Sequence, residues 1–330
     1  MKLKKIFSIL LALCLISALF SACTSSERPA LSIAGAEITQ GVYAYYLDKA
    51  MATPSDYGLD LSAGAADYKN KAIELCKEYV AVNTTFKELG LSLTVAEKTD
   101  LSTKVSGFWR IYSKYYTSTG VSKQTLTKIE SSNSEKDKLF LYYYDTGGTK
   151  AVPESTIKAY FNANYFVFQA INGYLTKTDE NGNTVDLNAA EIKSLQTEFN
   201  AMAKSIAKGE TIQEAGISYA AEQDNSSVNT DVTVIGKDNT AYPAGFYEAV
   251  AKLKAGTPKV IMLGKYIFLV VKVDISKSEQ DFYQQYRTDS LKALKGGEMD
   301  TFIASVASGY SVAKQDKIMD KIYKTISTVK

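Results

Sequence analysis

The sequence has 330 residues, 45% hydrophobic and 22% charged, the composition of a folded chain with room for two cores. Its 38 bases and 36 acids nearly balance, and three of those bases (Lys2, Lys4 and Lys5) sit in an N-terminal leader, so no nucleic-acid partner is expected. There are 23 tyrosines and no histidine, which excludes Ser-His-Asp and Cys-His nucleophiles, HExxH zinc sites and imidazole acid–base chemistry near neutral pH.

The chain opens with the basic stretch Met1 to Lys5 and an apolar run from Ile6 to Phe20. That run is short for a membrane span and ends in small residues, so residues 1–22 read as a signal peptide. Leu19-Phe20-Ser21-Ala22-Cys23 resembles a bacterial lipobox, with Phe20 where that motif usually has leucine. The resemblance implies acylation of Cys23, a polar tether over 23–30, and anchoring to the outer face of the bacterial cell membrane. An ordinary secretory cleavage beside an incidental cysteine is the alternative. Cys14 leaves with the leader, so Cys76 remains as the one free thiol and no intrachain disulfide is expected. Cys76 lies on an apolar helical stripe with no imidazole to activate it and reads as a small core residue.

Residues 31–38 read as a short hairpin turning at Gly35, with Thr39 capping a helix from Gly41 to Met51. A longer helix starts near Ala66, carries Ala72, Cys76, Tyr79, Val82, Phe86 and Leu89 at steps of three and four, and stops at Gly90. Thr94-Val95-Ala96-Glu97 is a capping box opening a helix with the stripe Leu101, Val105, Phe108, Tyr112 and Tyr116, and Trp109 beside it. After Gly120 the spacing predicts two short helices, Lys123 to Ser131 and Ser134 to Tyr144, and Pro153 starts another through Ile157, Tyr160 and Phe161.

That order, Ile33-x-Gly35-x-x-Ile38-Thr39, then Leu89-Gly90-Leu91-Ser92-Leu93-Thr94, then Gly120-Val121-Ser122 and Val152-Pro153-Glu154-x-x-Ile157-x-x-Tyr160, resembles the chaperone domain of PrsA and SurA type foldases. The resemblance implies a split helical domain over 31–162 plus 276–330. The stretch from Glu279 to Lys330, with Phe282, Tyr286, Leu291, Leu294, Met299, Phe302, Ile303 and Val306 in helical register, would supply its second part.

Between the helical pieces, Tyr165 to Ile171 reads as a strand and Asn181-Gly182-Asn183 as a hairpin turn rather than a metal loop. A helix with Ala201, Ile206 and Ala207 stops at Gly209, and a short one with Ile212 and Ala215 follows. After the polar loop Asp224 to Ser227 come a helix from Phe246 to Leu253, the turn at Gly256 and Thr257, and Lys265 to Val273, whose apolar β-branched run is the clearest strand in the chain. From Phe199 this order is similar to a parvulin, the prolyl isomerase domain of those foldases, through Lys208-Gly209-Glu210-Thr211-Ile212, Phe246-Tyr247-Glu248-Ala249-Val250-x-x-Leu253-Lys254-x-Gly256 and Leu263-Gly264-Lys265-Tyr266-Ile267. The implied unit, 163–275, is a four-stranded antiparallel sheet with short helices. Phe246 would form the aromatic floor of the proline pocket, Tyr242 a wall, and Asn225 (or Asp224) the loop position. Tyr266 stands where the last-strand histidine belongs, and the first-strand histidine would fall near Gln169 or Ala170. Val232-Thr233-Val234-Ile235-Gly236 replaces the family's glycine-rich stretch.

The expectation is therefore a mostly helical α+β protein, a discontinuous helical chaperone domain with an inserted parvulin-like α/β domain. Its work would be to bind unfolded or partly folded secreted polypeptides, without nucleotide since nothing resembles a P-loop, and with a parvulin-like domain lacking strong catalysis since both parvulin histidines are missing; no cofactor and no metal are expected. Tyrosine is large, amphipathic and low in rotamer entropy, which makes Tyr112, Tyr115, Tyr116 and Tyr143 the candidate client-binding residues, alongside Tyr43, Tyr45, Tyr46, Trp109, Tyr142 and Tyr144. An active peptidyl-prolyl isomerase and a substrate-binding or structural envelope lipoprotein are the alternatives.

Overall fold

The computed structural model describes residues 25–60, 62–222, 228–275 and 281–329. The leader and Cys23 lie outside the described residues. The described residues form two compact units, those within Met1–Ala151 and Lys295–Lys330, and those within Val152–Leu294.

The first unit opens on the antiparallel pair β1 (Pro29–Ile33) and β2 (Ala36–Thr39). Both turn residues have positive φ, 49° at Ala34 and 84° at Gly35, the primed geometry whose twist matches that of the strands it joins. Thr39 Oγ1 accepts from the Val42 amide at 3.3 Å and starts α1 (Gln40–Ala52). Helices α2 (Ala65–Glu88), α3 (Val95–Ser118) and α4 (Lys123–Tyr144) follow. The box ahead of α3 closes in both directions, Glu97 N to Thr94 Oγ1 at 3.2 Å and Thr94 N to Glu97 Oε2 at 2.6 Å. The break expected at 131–134 is absent, and α4 runs unbroken. Its serines bond within the helix, Ser134 Oγ to the Glu130 carbonyl and Ser131 Oγ to Glu135, while buried Leu126, Ile129, Leu139 and Phe140 hold both halves to neighbouring helices.

The second unit begins with α5 (Glu154–Asn164), which leads directly into β3 (Tyr165–Tyr174). The hairpin β4 (Thr176–Thr178) and β5 (Thr184–Asp186) turns through Gly182, with Asp179 Oδ1 accepting from the Asn181 and Asn183 amides at 2.9 and 2.8 Å. Then come α6 (Ala189–Ala207), α7 (Ile212–Glu222), β6 (Thr233–Gly236), α8 (Phe246–Ala251), β7 (Pro258–Leu263), β8 (Tyr266–Lys272) and α9 (Phe282–Ser308). The sheet is four-stranded and antiparallel throughout, ordered β6-β3-β8-β7. Alternation along β3 and β8 gives it two apolar faces. Ile171, Ile267 and Leu269 pack under α6 and α7 against Phe199, Ile212 and Tyr219. Phe168, Phe268 and Val270 pack against Phe246 and Val250 of α8.

The unit boundaries differ from those expected. Helix α5 and the first half of α9 belong with the sheet rather than with the other helices. Phe161 is fully buried and its ring meets those of Tyr165 and Tyr283 at 5.3 and 5.7 Å. Arg287 forks onto Glu154, with Nε at 3.0 Å from both oxygens and Nη2 at 2.7 Å from Oε2. Helical periodicity shows that a stripe must be buried, and not against which partner.

After α9 the chain completes the first unit with β9 (Val312–Lys314) and α10 (Asp316–Val329). Strand β9 pairs with β1, giving the order β2-β1-β9, and Met319 and Ile326 of α10 enter the core formed by Val42, Leu47, Ile73, Cys76 and Ile129. The terminal segment is thus built into the fold of the first helices. No helix among the described residues is long and apolar enough to cross a membrane.

Glu27 ties the chain's entry into this unit to α4. Its carboxylate accepts from Lys128 Nζ, from Ser122 Oγ at 3.0 Å and from Thr125 Oγ1 at 3.1 Å. Burial alone would raise its pKa, but these three donors together hold it below the usual carboxylate value. A depressed folded-state pKa means stability that is present above the unfolded value, about 4.3, and is lost as pH falls through the folded one. Glu27→Gln is expected to cost about 1–3 kcal/mol at neutral pH, with the deficit closing below about pH 4. Urea unfolding of both proteins across that range measures it, and a deficit that is constant with pH would contradict the ionised network.

Candidate functional site

The sheet of the second unit is unevenly covered. Helix α8 spans only Phe246 to Ala251, so it covers one end of its face and leaves the other open. There lies a cavity of about 550 Å³, with Phe168, Ala170 and Asn172 from β3 and Tyr266 and Phe268 from β8 on one side. Tyr242 and Pro243, just ahead of α8, form the other side, and Asn229, Asp231 and Thr233 add polar groups.

Phe246, expected as the aromatic floor of the pocket, lies one layer deeper. It is fully buried and does not line the cavity. The Tyr242 ring stacks on it at 4.4 Å and 13°, and Phe268 meets it edge-on at 4.8 Å. Tyr242 therefore presents the outer surface and Phe246 holds it in place. Tyr266 stacks on Phe268 at 5.8 Å, so the tyrosine at the histidine position does face the cavity. Of the two residues considered for the first histidine, Ala170 lines the cavity, whereas Gln169 points to the other face and donates to the Thr230 carbonyl at 3.0 Å. Asn225 and Asp224 lie outside the described residues. Asn172, Asn229 and Asp231 were not anticipated. For Asn172 the signal was present, since Phe168, Ala170 and Asn172 fall at period two on one face.

The cavity is thus aromatic at its base and polar at its rim. Burial pushes the Tyr242 phenol above its ordinary pKa, against an opposing hydrogen bond from Thr233, so it is a neutral donor at physiological pH. No group here is an imidazole, a thiol or a metal-binding cluster. What the lining can do is enclose an apolar side chain or ring and hydrogen-bond the main chain that carries it.

The first unit has a surface of another kind on α3. Val105 is the only buried residue of this helix, although its apolar stripe is broad. Phe108, Ile111, Tyr112 and Tyr115 recur at steps of three and four, and Ile111, Tyr112 and Tyr115 are 64%, 49% and 38% exposed. The stripe is wider than the contact α4 makes with it. Tyr116 packs against the core and organises the rings around it, with Trp109 stacked at 6.3 Å and 3°, and Tyr112 and Tyr115 edge-on at 6.3 Å. Tyr115 also donates to Asp48 of α1 at 2.7 Å. Tyr143 does not join this group. It is half-buried on α4 against Phe302, at 5.5 Å. Tyr43 and Tyr144 are core residues.

No protein-family model and no curated protein matches the chain. Solved structures to which it is similar over most of its length are foldases and chaperones. Foldase protein PrsA from Lactococcus lactis is 14% identical, with a TM-score of 0.39 over 90% of this chain and 98% of that one. Foldase protein PrsA from Streptococcus pneumoniae is 11% identical, at 0.37 over 91% and 93%. One of two SurA-like chaperones from Campylobacter jejuni is 13% identical, at 0.29 over 87% and 98%.

Proposed function

We propose that this protein is an extracytoplasmic foldase-like chaperone that holds unfolded exported polypeptides without catalysing a covalent step. The observation that carries the reading is the α3 stripe, where Ile111, Tyr112 and Tyr115 stand exposed on a regular helix packed to its own unit on one side only. Contiguous exposed apolar surface on a folded protein marks a binding surface, and a helix supplies it without ordering cost to the binder. The aromatic cavity of the second unit offers a place for one client side chain or proline ring, with Tyr242, Tyr266 and Phe268 as its contact residues. Acylation of Cys23 would keep the protein on the membrane, since several acyl chains at about 0.8 kcal/mol per buried CH₂ hold essentially permanently.

The open cavity also favours a second reading, prolyl isomerisation. That reaction crosses a barrier of about 20 kcal/mol, which an apolar pocket lowers by favouring the twisted, less polar amide. In this chain no imidazole supports the pocket, and Tyr266 brings a single phenol in its place. Light scattering of an unfolded secreted protein, without nucleotide, tests the holding reading. Suppression should rise with chaperone up to near-equimolar ratio, and no effect at that ratio would refute it. A protease-coupled assay on a Xaa-Pro peptide tests the second. Acceleration that Tyr242→Ala abolishes would establish isomerisation.

A further inference from the structure

We propose that the open edge of β2 is a docking site for an extended, basic segment of polypeptide, added as a fourth strand to the β2-β1-β9 sheet. The proposal rests on the holding reading for its choice of an unfolded chain as the occupant. Beside that edge runs a groove of about 580 Å³, bounded by Ala36, Glu37 and Ile38 on one side and by α2, from Tyr79 to Glu88, on the other. Three consecutive residues of β2 line it. Successive side chains point to opposite faces of a sheet, so a wall made of three in a row is the strand's edge, main chain included.

The register determines what that edge offers. Ile33 and Ala36 flank the two-residue turn and are paired, as are Leu31 with Ile38 and Ser32 with Glu37. In such a hairpin the pair flanking the turn exchanges both hydrogen bonds and the next pair exchanges none. The N–H and C=O of Glu37 therefore point away from β1 into the groove. β2 is an outer strand of its sheet and carries no proline and no lysine, the residues that commonly guard such edges.

The groove also states a charge. Glu37 and Glu88 are exposed carboxylates that pair with no cation among the described residues, and Lys87 is the one cation among the lining residues. A lysine- or arginine-bearing strand answers them with positive charge, while its main chain pairs with Glu37.

The test is fluorescence anisotropy of a labelled peptide of alternating lysine and valine, titrated with the full chain. The peptide is compared with its glutamate counterpart and with a version N-methylated on alternate amides. The lysine peptide should bind at least about tenfold more tightly than either. Glu37→Pro removes the outward N–H together with the carboxylate and leaves the bonds to β1, so it should leave the melting temperature in place and weaken binding by at least a similar factor. Glu37→Lys should erase the preference for lysine over glutamate. Equal binding of the N-methylated peptide overturns the proposal whether or not Glu37→Pro folds, and so does equal binding of the glutamate peptide. Self-association of the chain that Glu37→Pro abolishes would also overturn it, by assigning the edge to a second copy. The double variant Ile111→Ser, Tyr112→Ser keeps the two readings apart. Undiminished holding with peptide binding intact counts against the α3 surface alone, and holding lost together with peptide binding assigns the peptide to α3 and counts against the edge alone.

Discussion

Phe246→Ala is expected to lower the melting temperature of the sheet-bearing unit by about 10–15 °C. The ring is fully buried between Tyr242, Phe168 and Phe268, at centroid distances of 4.4, 5.3 and 4.8 Å. Truncating such a phenylalanine costs about 3–5 kcal/mol, from lost transfer energy and from the cavity left behind, and about 3 °C per kcal/mol is usual for a unit of this size. The effect should extend to the open cavity, because Tyr242 has Phe246 as its supporting surface. Tyr242→Ala separates the two roles. It removes the outer ring while leaving the buried one, so peptide affinity should fall with a much smaller loss of stability. Differential scanning calorimetry of both variants decides the point. A Phe246→Ala protein that melts within a degree or two of the parent would mean that the aromatic stack is not what holds this face of the sheet.

The second large effect concerns α3. Ile111→Ser with Tyr112→Ser should abolish most holding activity while shifting stability by less than about 1 kcal/mol. Both side chains are already substantially exposed, so little burial is lost on folding. In a complex each would bury most of its remaining surface. Together they should contribute about 2–3 kcal/mol, roughly 30- to 150-fold in Kd. Tyr115 is left out of this variant because its phenol links α3 to Asp48 of α1, and losing it would mix a structural cost into the result. Light scattering with the double variant is the measurement, and undiminished suppression by a protein of unchanged melting temperature would remove α3 from the account.

Most local punctuation could be read from the residues themselves. Thr39, the Thr94–Glu97 box, the turn at Ala34-Gly35 and the β-branched run of β8 are each decided by neighbours in sequence, so local chemistry suffices. What could not be read depends on distant partners. Ser131 to Ser134 favour a break, yet buried leucine, isoleucine and phenylalanine on both sides keep α4 continuous. Three residues of β9 are a strand only because β1, far away in sequence, accepts them. Helix α6 begins ten residues ahead of Phe199, at a box closed by Asn188 and Glu191, a local signal that the sequence itself carries. The cavity divided along the same line. Tyr242 and Tyr266 could be placed from the order of elements, whereas the depth of Phe246 and the polar rim of Asn229 and Asp231 depend on how loops fold over the sheet. On α3 the periodicity marked the apolar stripe, and only packing revealed that α4 covers part of it.

Trp109 is the single tryptophan of the chain and stacks on Tyr116 within the α3 surface, so its emission reports directly on that surface. The most direct test is to titrate the full chain with a permanently unfolded, tryptophan-free polypeptide and follow Trp109 fluorescence without nucleotide. A saturable blue shift with the unfolded polypeptide, and none with the same polypeptide in its native form, is the predicted result. Emission that stays unchanged while scattering still shows suppression would place the grip elsewhere and contradict the account.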